Sequence, residues 1–278
     1  MSQGVASDLP PYSVLMGVYG GDNAQYFTQA MDSVLGQTLP CSDIVLVVDG
    51  PLHGQLEATV KQYVAQHSQI HPLWLPENVK TGRALQAALP HCRYDMVVKM
   101  DADDIALPTR VEEQLTFMAQ HPGIAMVSST IAEFQGQVDN VVSTKRVPLE
   151  DAAIRALARR WNPINQPSVV FSKQAALAVG GYQDFPRYED YHLWVRMLAA
   201  GYKAANMEQT LVYYRLSADN LDRRRRGDAR TAAIRFHLWK HRIGFAGWWD
   251  TAWMIGFMVA VSLVPGPIYR WIYRLKRR

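Results

Sequence analysis

The chain has 278 residues, of which 49% are hydrophobic and 19% charged, and this composition excludes an intrinsically disordered protein. The formal net charge of +4 conceals an asymmetry, because residues 1–222 carry a net charge of −7 and residues 223–278 carry +11. The acidic part would repel a phosphate backbone, so we expect no nucleic-acid partner, whereas the basic end favours an anionic membrane surface.

Short apolar segments alternate with amphipathic segments over the first 100 residues. Strands are predicted at residues 12–19, 43–50, 70–75 and 95–100, with a helix in each interval. Pro72 restricts the third strand to an edge of the sheet or to a strand end. This alternation is typical of a parallel sheet with helices on both faces.

The pattern is less regular in the second half of the chain. A helix is predicted at residues 109–121 and a strand at 124–130, followed by a hairpin within 132–147. The remaining predictions are helices at 150–160, 173–179 and 189–200 and strands at 168–171 and 211–215. These elements extend the α/β pattern to about residue 216.

Carboxylates follow two of the predicted strands directly. Asp49 ends the second strand, and Asp101, Asp103 and Asp104 follow the fourth. Ligands of parallel α/β sheets bind at the carboxyl ends of strands, and carboxylate oxygens suit a hard cation such as Mg²⁺ or Mn²⁺. The triplet Asp-Ala-Asp can also be a solvated turn before a helix, and the residues alone leave both interpretations open.

The order of these segments resembles the family-2 inverting nucleotide-sugar glycosyltransferases. "SVLMGVYGGDNAQYFTQAMDSVLGQT" resembles the opening strand and helix of that family, and "MDADDIALPTRVEEQL" its metal motif. "NPINQPSVVF", "GGY", "YEDYHLWVRMLAAGY" and "LVYYR" follow in the order of its acceptor half. The resemblance covers about residues 12–216. It implies a GT-A fold, with a Rossmann-like, mixed and mainly parallel sheet, in a catalytic domain of residues 1–222.

The resemblance also implies roles for four carboxylates. Asp190 would be the general base that deprotonates the acceptor hydroxyl, and Asp49 would hydrogen-bond the nucleotide base. Asp101 would lie near the ribose and the metal, and Asp103 would ligate Mn²⁺ or Mg²⁺ on the diphosphate of the donor. A first-turn helix charge for Asp190 and a turn cap for Asp49 are the structural alternatives.

Three basic residues are candidates for contacts with the donor. Lys80 and Arg83 could contact its phosphates or base, and Arg215 could reach its diphosphate, although each could instead be solvated. The sequence departs from the family pattern at Lys80, where a glycine is usual. It departs again at Gln166, where histidine is frequent, so no catalytic role is assigned to Gln166.

Residues 223–278 combine an "RRRR" segment with an apolar run. Residues 251–264 are mostly apolar, but a spanning helix needs about 20 such residues. Flanking tryptophans and tyrosines suit the headgroup level of a bilayer. We therefore expect C-terminal membrane-associating helices, peripheral or monotopic, on the cytoplasmic face of the inner (plasma) membrane. The alternative is a buried helix pair packed on the catalytic domain.

The expected activity is transfer of a sugar from a nucleotide-sugar donor, a UDP-sugar, to a saccharide acceptor. A lipid-linked acceptor in surface-polysaccharide synthesis is the narrower expectation. A nucleotidyltransferase is one alternative, but it needs a basic phosphate loop, and "YGGDNAQ" contains no Lys or Arg. A non-catalytic sugar-nucleotide sensor is another, which loss of Asp190 would have suggested.

Overall fold

The computed structural model describes residues 9–216 and 227–263. The "RRRR" segment at 223–226 and the aromatic residues Tyr269, Trp271 and Tyr273 lie outside the described residues. The strands are β1 (Tyr12–Tyr19), β2 (Ile44–Asp49), β3 (Ile70–Trp74), β4 (Met96–Asp101), β5 (Ile105–Ala106), β6 (Ile124–Phe134), β7 (Val141–Lys145), β8 (Val170–Ser172) and β9 (Lys203–Arg215). The helices are α1 (Ala24–Leu35), α2 (Gly54–Gln66), α3 (Thr81–Ala88), α4 (Arg110–Gln120), α5 (Asp151–Ala158), α6 (Lys173–Ala178), α7 (Glu189–Ala199), α8 (Gly227–Arg242) and α9 (Trp248–Leu263).

The described strands form one mixed sheet in the order β3-β2-β1-β4-β8-β6-β9-β5, with β7 paired to β6. The mixed α/β sheet of the prediction is confirmed. Parallel pairing joins β3, β2, β1 and β4 and also joins β6 to β9, whereas β8, β7 and β5 join their neighbours antiparallel. Because the four longest registers are parallel, the sheet is mainly parallel, as predicted. β3 forms an edge of the sheet, as Pro72 predicted.

Helices cover both faces of the sheet because successive residues of each strand point to opposite faces. Val14 and Met16 of β1 belong to a core that also contains residues of α1, α2 and α4. Leu15 belongs to the other core, with residues of α3, α5, α6, α7 and α8. The helix that carries Asp190 therefore packs on the same face as α3.

Two strand predictions fell short of the structure. Residues 203–210 extend β9 well before the predicted start at 211, and β5 was not predicted. The segment "KAANMEQT" is poor in β-branched and aromatic residues, so local propensity does not indicate a strand. Pairing with β6 along most of its length gives β9 its extended conformation.

A glycine brings α3 close to α7. A Cβ atom at Gly82 would lie 3.1 Å from Glu189 Cβ and 3.2 Å from the carbonyl oxygen of Gln183. Any larger residue would push the first turns of the two helices apart. The loop before α3, which contains Lys80, is therefore a neighbour of the first turn of α7, which contains Asp190.

The two C-terminal helices differ in their exposure. Phe236 and Lys240 of α8 are fully buried, and Phe236 belongs to the same core as α7. In α9, Met254 is buried, but the side chains of Trp248 and Trp249 are 57% and 69% exposed. Within the described residues, no helix combines the length and apolar character needed to cross a bilayer. α8 thus packs on the helices of the α/β core, as in the alternative interpretation, and membrane association stays a prediction.

Candidate active site

Two acidic strand ends flank β1 at one edge of the sheet. Asp49 of β2 is in register with Tyr19, and Asp101 of β4 is in register with Gly17 on the other side of the same strand. Parallel pairing aligns the carboxyl ends of these three strands. The predicted cluster of carboxylates at one sheet edge is therefore present.

Asp49 fixes the loop that leads to α3. Its buried carboxylate accepts a hydrogen bond of 2.7 Å from the backbone N–H of Val79, and the side chain of Asn78 donates to the carbonyl oxygen of Asp49 at 3.2 Å. One carboxylate oxygen thus has a structural role. The assignment of Asp49 to the nucleotide base remains a prediction.

The candidate cations Lys80 and Arg83 lie at the start of α3, Lys80 as the residue before the helix and Arg83 in its first turn. Lys80 is exposed and has φ 75° and ψ 154°, a backbone conformation that glycine adopts far more readily than other residues. Arg83 donates from Nε and Nη2 to Asp184 at 2.9 and 2.5 Å on the surface. Arg83 therefore stabilises the loop before α7 in this structure, and its contact with the donor remains a prediction, as does that of Lys80.

Replacement of Lys80 by glycine is expected to have opposite effects on stability and on donor binding. Glycine would relieve the backbone strain, which costs about 1–3 kcal/mol in such conformations, so the free energy of unfolding should rise. Affinity for a nucleotide sugar should fall if the ammonium contacts the donor. Thermal unfolding and donor titration measure the two effects. Lys80→Ala is the matched control, since it removes the ammonium and keeps the backbone strain. Unchanged donor affinity in both variants would show that Lys80 does not contact the donor.

The segment "DADD" after β4 is held by buried cations. Asp101 forms an ion pair with Lys99, whose side chain is almost fully buried. Asp104 is fully buried, and its Oδ1 accepts the backbone N–H of Arg215 at 2.8 Å. Its other oxygen has no partner within the described part of the chain. Asp104 thus has a structural role, whereas Asp101 and Asp103 are only partly buried.

Arg215 clamps this segment from the end of β9. Its guanidinium donates to the carbonyl oxygen of Asp103 at 2.8 Å, to Gln29 Oε1 at 2.6 Å and to the carbonyl oxygen of Gly136 at 3.2 Å. The rings of Tyr26 and Phe134 lie 3.9 and 4.5 Å from the guanidinium carbon. The side chain is therefore engaged within the protein, and the geometry supports a role in positioning Asp103. For the predicted contact with the diphosphate, the guanidinium of Arg215 would have to replace some of these internal hydrogen bonds by bonds to phosphate oxygens.

The carboxylates after β4 fit a hard cation. Burial, followed by the charge of Asp101, raises the pKa of Asp103 to about 6. Burial and the charge of Asp103 raise the pKa of Asp104 well above its ordinary value. Burial is the main cause of both shifts, and a bound cation would favour the ionised form of each carboxylate. In residues 9–216 and 227–263, no group of three candidate ligands could hold a metal alone. The arrangement suits a cation bound by one or two carboxylates and completed by substrate phosphates.

Asp190 lies in the first turn of α7 and is 6% exposed. Its Oδ1 has no hydrogen-bond partner among the described residues. Burial and the charge of Glu189 raise the pKa of Asp190 well above its ordinary value, and the ammonium of Lys99 opposes this shift. A carboxylate of raised pKa is a stronger base once it is ionised, which suits proton abstraction at neutral pH.

The sequence predictions missed Lys99. Its ammonium pairs with Asp101 and also interacts electrostatically with Asp190, so one buried cation links the end of β4 and the first turn of α7. A lysine inside the otherwise apolar strand "MVVKM" was a usable signal, because a buried ammonium needs an anionic partner.

A mixed sheet with helices on both faces and acidic strand ends is typical of the GT-A-like fold of glycosyltransferases. Residues 13–177 match the family model described as glycosyl transferase family 2, and the chain belongs to this family. This assignment favours glycosyl transfer over the nucleotidyltransferase alternative.

Relatives support the assignment over nearly the whole chain. The amylovoran biosynthesis glycosyltransferase AmsE of Erwinia amylovora is 30% identical to this chain. The aligned region covers 96% of this chain and 99% of AmsE. A UDP-Gal:alpha-D-GlcNAc-diphosphoundecaprenol beta-1,3-galactosyltransferase of Escherichia coli is 28% identical to this chain. The aligned region covers 97% of this chain and 98% of the galactosyltransferase. In fold, the chain is similar to the mannosyltransferase PcManGT of Pyrobaculum calidifontis, solved with GDP-Man and Mn²⁺. The TM-score is 0.64 at 16% identity, over 96% of this chain and 80% of that chain.

Proposed function

We propose that this glycosyltransferase inverts the anomeric configuration as it transfers a sugar from a UDP-sugar to a saccharide acceptor in surface-polysaccharide synthesis. The observation that carries the proposal is the buried Oδ1 of Asp190, which has no hydrogen-bond partner in the part of the chain that the structure describes and lies on a helix near the acidic strand ends. An unsatisfied carboxylate oxygen at a site is a group that can accept a proton from substrate.

In this proposal, Asp190 accepts the proton of the acceptor hydroxyl as that oxygen attacks the anomeric carbon from the face opposite the diphosphate. Attack from that face inverts the configuration. Asp49 accepts a hydrogen bond from the nucleotide base, and the ammonium of Lys99 favours the ionised form of Asp190, against the rise of its pKa by burial. Asp103 and Asp101 would hold Mn²⁺ or Mg²⁺, which would neutralise charge on the leaving diphosphate.

The chemistry of the donor and acceptor is supported by the relatives. The name of the E. coli galactosyltransferase gives a UDP-sugar donor and an acceptor linked to diphosphoundecaprenol. The name of the E. amylovora protein gives synthesis of a polysaccharide. We extend these features to this chain: a UDP-sugar as donor and a lipid-linked saccharide as acceptor.

A panel of nucleotide sugars tests the activity. With Mn²⁺ present, a UDP-sugar should raise the melting temperature and should be consumed when a saccharide-diphosphate-lipid acceptor is added, and chelator should abolish both effects. The product linkage, determined by NMR, should have inverted configuration. A retained configuration, or a stronger response to GDP-sugars or dTDP-sugars, would contradict the proposal.

We place the enzyme at the cytoplasmic face of the inner (plasma) membrane, attached through α9 and the basic C-terminal end to anionic lipid. Trp248 and Trp249 are more than half exposed, and their rings are stacked with centroids 3.8 Å apart. Exposed tryptophans beside cations suit the headgroup region. Residues 223–278 carry a net charge of +11, which favours an anionic surface.

The double substitution Trp248→Ala and Trp249→Ala should weaken attachment to vesicles that contain anionic lipid, because it removes exposed aromatic area without touching the buried side of α9. Co-sedimentation measures the effect. Salt should weaken the remaining attachment by screening the basic end. Trp74→Ala, which removes a tryptophan 46% exposed on β3, is the matched control. Equal sedimentation of all three proteins would show that these tryptophans do not bind membranes.

A further inference from the structure

α8 packs directly on the helix that carries Asp190. The ring of Phe236 is stacked on Tyr188 with centroids 4.6 Å apart, and it lies 4.7 Å from the ring of Tyr191. Trp239 lies 4.1 Å from His192. Tyr188, Tyr191 and His192 are spaced three and four residues apart, so they share one side of α7, while Asp190 lies on the other side. α8 therefore packs on the side of α7 opposite Asp190.

Lys240 is at the centre of this contact and is fully buried. Its Nζ donates to Arg159 O at 2.8 Å, to Tyr191 Oη at 3.0 Å and to Ala158 O at 3.2 Å. The hydroxyl of Tyr191 donates its own hydrogen to Ala158 O at 2.7 Å, so towards Lys240 it can only accept. Three acceptors therefore match the three N–H groups of an ammonium.

The two carbonyl groups are at the C-terminal end of α5, where the helix dipole concentrates partial negative charge. Lys240 thus joins α8, α5 and α7 through one charged group. Burial lowers the pKa of Lys240 to about 7, which shows that the protein surroundings make the ammonium costly. An apolar side chain at this position would avoid the free-energy cost of burying an ammonium. Packing alone therefore does not explain why residue 240 is a lysine.

We propose that Lys240 is a positioning residue of the transfer reaction: through the Tyr191 hydroxyl it fixes α7, and with it the Asp190 carboxylate, against α5. The inference rests on the proposed role of Asp190. It makes α8 part of the catalytic unit. The predicted domain boundary at residue 222 would then separate two segments that depend on each other for activity.

Lys240→Met and Tyr191→Phe, singly and together, test the inference. Each single variant should lower kcat by about tenfold, because small displacements of a catalytic group are costly, while the KM for the donor stays unchanged. The double variant should lose less than the product of the two single losses, because the two residues share the hydrogen bond between them. Lys240→Arg should restore part of the activity. Lys61→Met on α2, whose side chain is 62% exposed, is the matched control and should retain wild-type kcat.

Hydrogen exchange of peptides from residues 188–199 gives a second readout that does not depend on activity. These amides should exchange faster in Lys240→Met and Tyr191→Phe and at the wild-type rate in Lys61→Met. If Lys240→Met does not fold, Tyr191→Phe alone tests the contact. Transfer within twofold of wild type, additive losses, or donor affinity that falls in parallel with kcat would each overturn the inference. Absence of transfer by the wild-type enzyme would instead contradict the proposed function, while the exchange rates would still test the positioning.

Discussion

Asp190→Asn is expected to lower sugar transfer by about 10²-fold or more while donor affinity barely changes. Asparagine keeps the shape of the side chain but cannot accept a proton at neutral pH. The loss should therefore appear in kcat and not in the KM for the donor. Steady-state kinetics with a saccharide acceptor and calorimetric titration of the donor measure the two quantities.

The pH dependence of transfer provides a further signature of Asp190. Burial raises the pKa of Asp190 above 3.8, and only the ionised carboxylate can act as a base, so wild-type transfer should fall as the pH drops through the raised pKa. This acid limb should vanish from the residual rate of Asp190→Asn. Glu189→Gln is the matched control, since it removes the neighbouring carboxylate of the same turn. If Glu189→Gln loses more activity than Asp190→Asn, Glu189 is the base.

Asp103→Ala should abolish the enhancement of nucleotide-sugar binding by Mn²⁺. The carboxylate of Asp103 lies beyond the end of β4 and outside the two apolar cores, so the fold should persist. Its backbone carbonyl, which Arg215 holds, is unaffected by the substitution. Titration of UDP with Mn²⁺ and with chelator should show a difference for the wild type and none for the variant.

Two comparisons make this result specific. Asp139→Ala removes an exposed aspartate from the turn between β6 and β7 and should keep the full enhancement by Mn²⁺. Asp104→Ala should instead lower the melting temperature, because it leaves the backbone N–H of Arg215 without its buried acceptor. Equal enhancement in Asp103→Ala and the wild type would exclude Asp103 as a metal ligand.

The sequence predicted the first part of the fold, strands β1 to β4, to within one residue at each strand end. Its strands have continuous apolar runs bounded by turn residues, and such local patterns require no knowledge of tertiary contacts. The convergence of Asp49 and Asp101 was also predictable, since the carboxyl ends of parallel strands lie at one edge. β9 was underestimated because pairing with β6 compensates for its weak propensity.

Other features depend on contacts between distant segments. The clamp by Arg215 uses backbone carbonyls and one amide side chain, which leave no recognisable motif. The packing of α8 was open from the sequence because an apolar and basic helix is equally typical of a membrane surface and of a buried hairpin. The burial of Phe236 and Lys240 shows that α8 packs on the protein, and it identifies the packed side of the helix.

The clamp by Arg215 also has a consequence for the order of events during synthesis. Arg215 Nε binds a carbonyl group 112 residues earlier in the chain, and Nη2 binds a side chain 186 residues earlier. At ordinary rates of translation, on the order of ten seconds separate the emergence of Asp103 from that of its clamp. During this interval the acidic segment lacks the guanidinium that later fixes it. A nascent chain that ends before β9 would therefore contain every proposed carboxylate and still lack the guanidinium that holds the segment of Asp103.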